Sequence, residues 1–289
     1  MLPNYVDKTY RVSRTLDEGV DFTTRRAQTL LKESGITGPP FLPEYMASLQ
    51  RVKRITKEDL GELSGLLLPV PGGFEIKLNA KHSIERQNFS CAHEIGHTFF
   101  SEAAGKTLLE KFRRQKGDKA ARNWEESCCD VAASELLMPL QIFRRHASRY
   151  NFSVHSLVPL SHTFNTSIVP TALRLCDINP RWCFLVHWVT ENGNELGSLT
   201  SRPTWLTWTG KRVSSRTGRF VFNPKLSSAT GSILGACRSD KPTYSSERAI
   251  IGSFVGNCEI WSQSFNSGSS RFVISFIFPE SESRVDTLI

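Results

Sequence analysis

The sequence predicts an α+β chain: a mixed helix-and-strand domain over 1–150, a short helical segment over 151–178, and a β-rich domain over 179–289. Three observations predict it. Apolar residues recur at helical spacing in several stretches of the first block. Inside that block, two strand-like runs flank a Pro/Gly turn. After about residue 180 the composition shifts to Trp, Phe, Val, Ser, Thr and Gly. At 289 residues the chain has room for two or three modest domains. With 39% hydrophobic and 22% charged residues it has the composition of a folding chain, not a disordered one.

In order along the chain, Asp21 is placed to cap a helix over Thr23–Glu33 that Gly35 stops. Gly38-Pro39-Pro40 is a break, and Leu42–Val52 reads as helix again. Leu63–Leu68 and Phe74–Leu78 read as two strands joined by Pro-Val-Pro-Gly-Gly at 69–73. A helix capped by Asn88 or Ser90 then carries His93 and His97. Residues 101–120 are polar and basic and read as a loop with a short helix. Asn123–Leu137 is a further helix ended by Pro139. Ser156–Leu175 has the apolar spacing of two short helices around a turn at Asn165, with Pro159 and Pro170 inside it. Trp182–Trp188 and Phe272–Phe278 read as strands of the last region, and a loose tail follows from Glu280.

No run of about 18 apolar residues exists, so no membrane span is expected. The first residues lack the charged-then-apolar order of a secretory signal. Seven cysteines at irregular spacing, two of them adjacent, do not make a disulfide framework, and a reducing cytoplasm is the expected compartment. The formal net charge is +8, with small basic clusters at Arg25-Arg26, Lys111–Lys116 and Arg144-Arg145. That balance admits DNA or an acidic protein as partner; solvation of an ordinary surface is the plainer reading. Nothing in the sequence sets the oligomeric state.

The strongest chemical signal is His93-Glu94-Ile95-Gly96-His97. On a helix, positions four apart share a face, so both imidazoles can reach one zinc ion at about 2.0–2.1 Å. Glu94, from the same helix, can take a proton from a metal-bound water. Phe89, Ala92, Phe99 and Phe100 would bury this helix, and polar groups buried without a partner are costly. A catalytic zinc needs a third protein ligand. Glu126, 29 residues after His97, is the candidate, and Asp130 four residues on can accept the free N–H of a ligating histidine. Glu125 competes with Glu126, which the spacing to Asp130 favours. An exposed acidic helix start would account for the same carboxylates without a metal. Cys128 and Cys129 could ligate a metal, but adjacent positions on a helix point about 100° apart, so both cannot easily face one ion, and as small buried apolar residues they need no function. His82 is a further candidate, as oxyanion support; His146, His155 and His162 are scattered.

Phe89–His97, followed by Glu126-Ser-Cys-Cys-Asp-Val-Ala-Ala-Ser-Glu-Leu-Leu-Met-Pro139, resembles the ImmA/IrrE metallopeptidases. Upstream, an Ala-x-x-Leu-Leu helix, the Gly-x-x-x-Pro-Pro break and the strand pair also look like theirs, and the resemblance covers roughly residues 22–145. It implies a gluzincin-like site on a zincin-like fold: His93, His97 and Glu126 on zinc, with manganese as the alternative ion, Glu94 as base, and Asp130 behind the ligands. It implies an endopeptidase that cuts a transcriptional repressor and so switches on a stress or DNA-damage response. The radiation-response members of Deinococcus are similar further on, with a helix-turn-helix-like segment matching 151–178 and a GAF-type sensor domain matching 179–289. The competing expectation is a DNA-binding transcriptional regulator whose metal is structural. A third is a ligand-sensing C-terminal domain that controls the peptidase.

Overall fold

The computed structural model describes residues 5–179, 181, 183–192, 199–208, 235–236, 239, 241–251, 254–267 and 270–280. Residues 281–289 of the expected tail lie outside the described residues, as do the side chains of Lys111 and Lys116 in the basic cluster. The chain divides into two compact units, Met1–Arg145 with Ser161–Ser167, and His146–Leu160 with Ile168–Ile289.

The first unit joins helices to a three-stranded sheet. Helix α1 (Tyr5–Ser34) starts well before Asp21, so Asp21 lies inside the helix instead of capping it. Its end is as expected: Gly35 has φ 70°, and its N–H donates to the Lys32 carbonyl. The helix expected at Leu42–Val52 is shorter. It comprises α2 (Pro43–Ala47) and a 3₁₀ turn, Ser48–Gln50, before Val52 opens strand β1 (Val52–Glu58). Only Val52 of β1 is buried, so the strand carries no apolar alternation in sequence and could not be seen there. Strands β2 (Gly65–Val70) and β3 (Gly73–Asn79) form the expected hairpin with a tighter turn than expected, since Pro69, Val70 and Gly73 pair within the strands and Leu63 precedes β2. The sheet order is β1-β3-β2, with β1 parallel and β2 antiparallel to the central β3. Strand β2 is thus an edge.

Helix α3 (Ile84–Phe99) begins at Ser83, whose side chain accepts from the Arg86 amide. The expected caps, Asn88 and Ser90, lie one to two turns inside and are buried. Asn88 is used otherwise, its Nδ2 donating to the Asn165 carbonyl at 3.2 Å. The expected loop at 101–120 is mostly helix α4 (Ala103–Lys116). Leu108 and Leu109 pack it on Phe100, Trp124 and Cys128, which explains why a polar, basic segment is ordered there. Helix α5 (Asp118–Leu137) packs against both α3 and α1, and α3 in turn lies on β2 and β3. Glu135, buried at 4% exposure near the end of α5, accepts from Gln28 Nε2 and from the Leu140 amide that opens α6 (Leu140–Ala147).

Helices α7 (Leu157–Phe164) and α8 (Ile168–Ile178) flank Asn165, which has φ 50°. Pro159 and Pro170 are each the third residue of their helix. First-turn amides have no intrahelical acceptor, so neither proline breaks a bond. In the second unit, β4 (Phe184–Asn192), β5 (Leu199–Trp208), β6 (Thr243–Ile251), β7 (Phe254–Ser267) and β8 (Ser270–Pro279) form an antiparallel sheet of order β5-β4-β8-β7-β6. Trp188 Nε1 donates to Ser275 Oγ, which lies 2.7 Å from Ser262 Oγ, a buried polar ladder across three strands. Among the described residues no helix is long and apolar enough to cross a membrane.

Candidate metal centre

The centre forms where α3 and α5 cross, and Gly96 permits the crossing. A Cβ at Gly96 would lie 3.0 Å from Ala132 Cβ and 3.0 Å from Cys129 Cα. Glycine weakens a helix interior by about 1 kcal/mol, and here the gain is close approach of two ligand-bearing helices. The variant Gly96→Val is therefore expected to lose about 1–3 kcal/mol of stability by overpacking. Denaturant unfolding measures this; unchanged stability would show that the helices are free to separate.

Four acidic side chains meet the two imidazoles. His93 Nδ1 donates to Asp130 Oδ1 at 3.0 Å, and its Nε2 is 3.1 Å from Glu126 Oε2. His97 Nδ1 donates to Glu125 Oε1 at 3.1 Å, and its Nε2 is 3.7 Å from Glu126 Oε1. The Nε2 atoms thus converge on one carboxylate, while each Nδ1 is held by a different one. Donors sharing a tetrahedral zinc at about 2.0–2.1 Å lie about 3.3 Å apart, and the two Nε2–carboxylate separations bracket that value. The structure therefore brings together His93, His97, Glu126 and Asp130 from the sequence reading. It also uses Glu125, the competing candidate, as the partner of His97.

The fourth carboxylate is Glu94, buried at 8% exposure. Burial raises its pKa; the imidazoles of His97 and His93 and a hydrogen bond from the Leu67 amide pull the other way. Leu67 can spare that amide because β2 is an edge strand. Gly65, two residues earlier, leaves room for the side chain, since a Cβ there would stand 2.9 Å from Glu94 Oε1. Burial opposes charge on His93, yet hydrogen bonds to Asp130 and Glu126 outweigh it and push its pKa up to about 10. The His93 hydrogen bond lowers the Glu126 pKa. Four carboxylates around two imidazoles leave an excess of negative charge, which a divalent cation at the Nε2 atoms would neutralise. On donor chemistry, the residues fit such an ion.

Cys129, weighed in the sequence as a possible ligand and set aside there as a small buried apolar residue, lies beside the histidines. Metal-binding atoms of His93, His97 and Cys129 all lie within 4.8 Å of one another. Cys128 faces the other way, its sulfur toward α1 near Gly19 and Thr23. The two adjacent thiols thus have different neighbours, as neighbouring helix positions do, and only Cys129 lies with the histidines. His82 sits between β3 and α3, its carbonyl accepting from Gln87 Nε2, and its Nδ1 is buried with no hydrogen-bond partner.

Residues 54–175 match the model of the IrrE N-terminal-like domain, Peptidase_M78. None of the curated proteins matches the chain. Among solved structures, a Mycobacterium tuberculosis transcriptional regulator is similar in fold, with a TM-score of 0.58 at 13% identity over 92% of this chain and 94% of that one.

Proposed function

We propose that this chain is a zinc-dependent endopeptidase whose substrate is a transcriptional repressor, a reading supported by the match of residues 54–175 to the IrrE N-terminal-like domain model, Peptidase_M78. The observation that carries the reading is the convergence of His93, His97 and Glu126 beside a buried Glu94. His93, His97 and Glu126 would hold a divalent cation, zinc or alternatively manganese, which when bound would supply a more acidic water and a polarised carbonyl. Glu94, buried beside those donors, accepts the proton of the attacking water and passes it to the leaving amine. The Leu67 amide holds the Glu94 carboxylate at the sheet edge. An extended peptide laid along β2 would present its backbone there, with the exposed Leu63 and Leu66 beside it. Asp130 and Glu125 fix the rings of His93 and His97 through Nδ1.

Removing one of these outer carboxylates has a defined consequence. Asp130→Ala is expected to weaken zinc binding about 10–100-fold while Glu126 remains in place. Competition titration with a chromogenic chelator measures it, and unchanged affinity would remove Asp130 from the centre.

The reading is tested by incubating the zinc-loaded chain with cellular protein and labelling new amino termini for mass spectrometry. A small set of cuts, concentrated in a DNA-binding regulator, is expected. No termini beyond those of a metal-stripped control would sink it. A second reading, a DNA-binding regulator with a structural metal, is favoured by the net charge of +8 and by the mycobacterial regulator of similar fold. Gel shifts at several salt concentrations decide: duplex binding that weakens steeply with salt supports it, and none at low salt removes it.

A further inference from the structure

The metal centre carries a thiol that peptidase chemistry does not require. Cys129 is fully buried and stands three residues after Glu126, on the same face of α5. Its sulfur belongs to the cluster in which all donor atoms lie within 4.8 Å of one another. Donors on a shared tetrahedral ion are about 3.3–3.8 Å apart for nitrogen and sulfur, so a shift of about 1 Å completes the set. The Glu126 side chain is 59% exposed, so it reaches the imidazoles from the solvent side and has water to turn into. Gly96 lets α3 press on Cys129, with a Cβ there only 3.2 Å from Cys129 Cβ. That contact holds the thiol close to both histidines.

We propose that Cys129 is a sulfur donor to this centre, binding the cation held by His93 and His97 when Glu126 turns out to solvent. This rests on the metal-centre reading above. The thiol proton leaves to water as the sulfur–metal bond forms, and nothing is oxidised or reduced. The centre then has two donor sets, one with a carboxylate and one with a thiolate. The second selects soft and borderline ions such as zinc, cobalt and cadmium over manganese.

Cobalt(II) loading of the full chain under reducing conditions reads the donors directly. Wild type is expected to show visible ligand-field bands of a four-coordinate ion and a near-ultraviolet sulfur-to-cobalt charge-transfer band. Cys129→Ala should keep the visible bands, lose the near-ultraviolet one, and lower the preference for cadmium over manganese by at least about tenfold, an order set by ligand softness. Glu126→Gln should strengthen the charge-transfer band, because it weakens the competing donor. Cys128→Ala, altering an equally buried neighbour, should leave the spectrum unchanged. Visible bands without a charge-transfer band in wild type would overturn the sulfur donor and leave the metal centre standing. No cobalt bands at all would overturn both.

Discussion

The Glu94→Gln chain is expected to hold a full complement of zinc, unfold at the wild-type temperature, and cut its substrate at least about 10²-fold more slowly, the usual range for loss of a general base being about 10²–10⁴. The substitution keeps the shape of the side chain, so the Leu67 amide retains an oxygen acceptor and the space beside Gly65 stays filled. None of the paired donor atoms of His93, His97 or Glu126 is touched. An amide, however, cannot accept the proton of an attacking water. Rate measurement beside metal analysis therefore separates chemistry from architecture. A variant that loads zinc and cuts at the wild-type rate would end the mechanism proposed for Glu94.

Replacing His97 with Ala should do the opposite: it removes the metal and leaves the polypeptide frame. His97 supplies one of the two imidazoles and is the link to Glu125, so its loss leaves His93 and Glu126 as the remaining near pair. Since loss of an outer partner alone costs about 10–100-fold in affinity, loss of a direct donor should exceed about 10²-fold. The readout is thermal unfolding with and without zinc. At a free metal concentration of about 100 times Kd, binding stabilises the folded chain by about 2.7 kcal/mol, so wild type should shift upward and His97→Ala should not. An equal zinc-induced shift in both would mean that the ion binds elsewhere.

The helix carrying His93, Glu94 and His97 was legible because its information is local. Residues four apart share a face whatever the rest of the chain does, and Glu126 and Asp130 follow the same rule on α5. The β2–β3 hairpin and the αL turn at Asn165 were likewise written in short-range chemistry. What could not be read was decided by neighbours. Strand β1 is half-exposed and polar, and pairs only because β3 offers a partner. The polar segment of α4 is helical because Leu108 and Leu109 find Phe100 and Trp124. Helix α1 runs back past Asp21 although a cap was available there.

The same division runs through the candidate site. Sequence spacing alone set which residues of one helix face together: His93 with His97, and Glu126 with Asp130. Only the crossing of α3 and α5 at Gly96 assigned the pairs between helices, Glu125 to His97, Asp130 to His93, and Cys129 instead of Cys128 to the metal cluster. Helical periodicity is a property of a single backbone. The rotation of one helix against another is settled by side-chain packing among residues distant in sequence, and no local pattern encodes it.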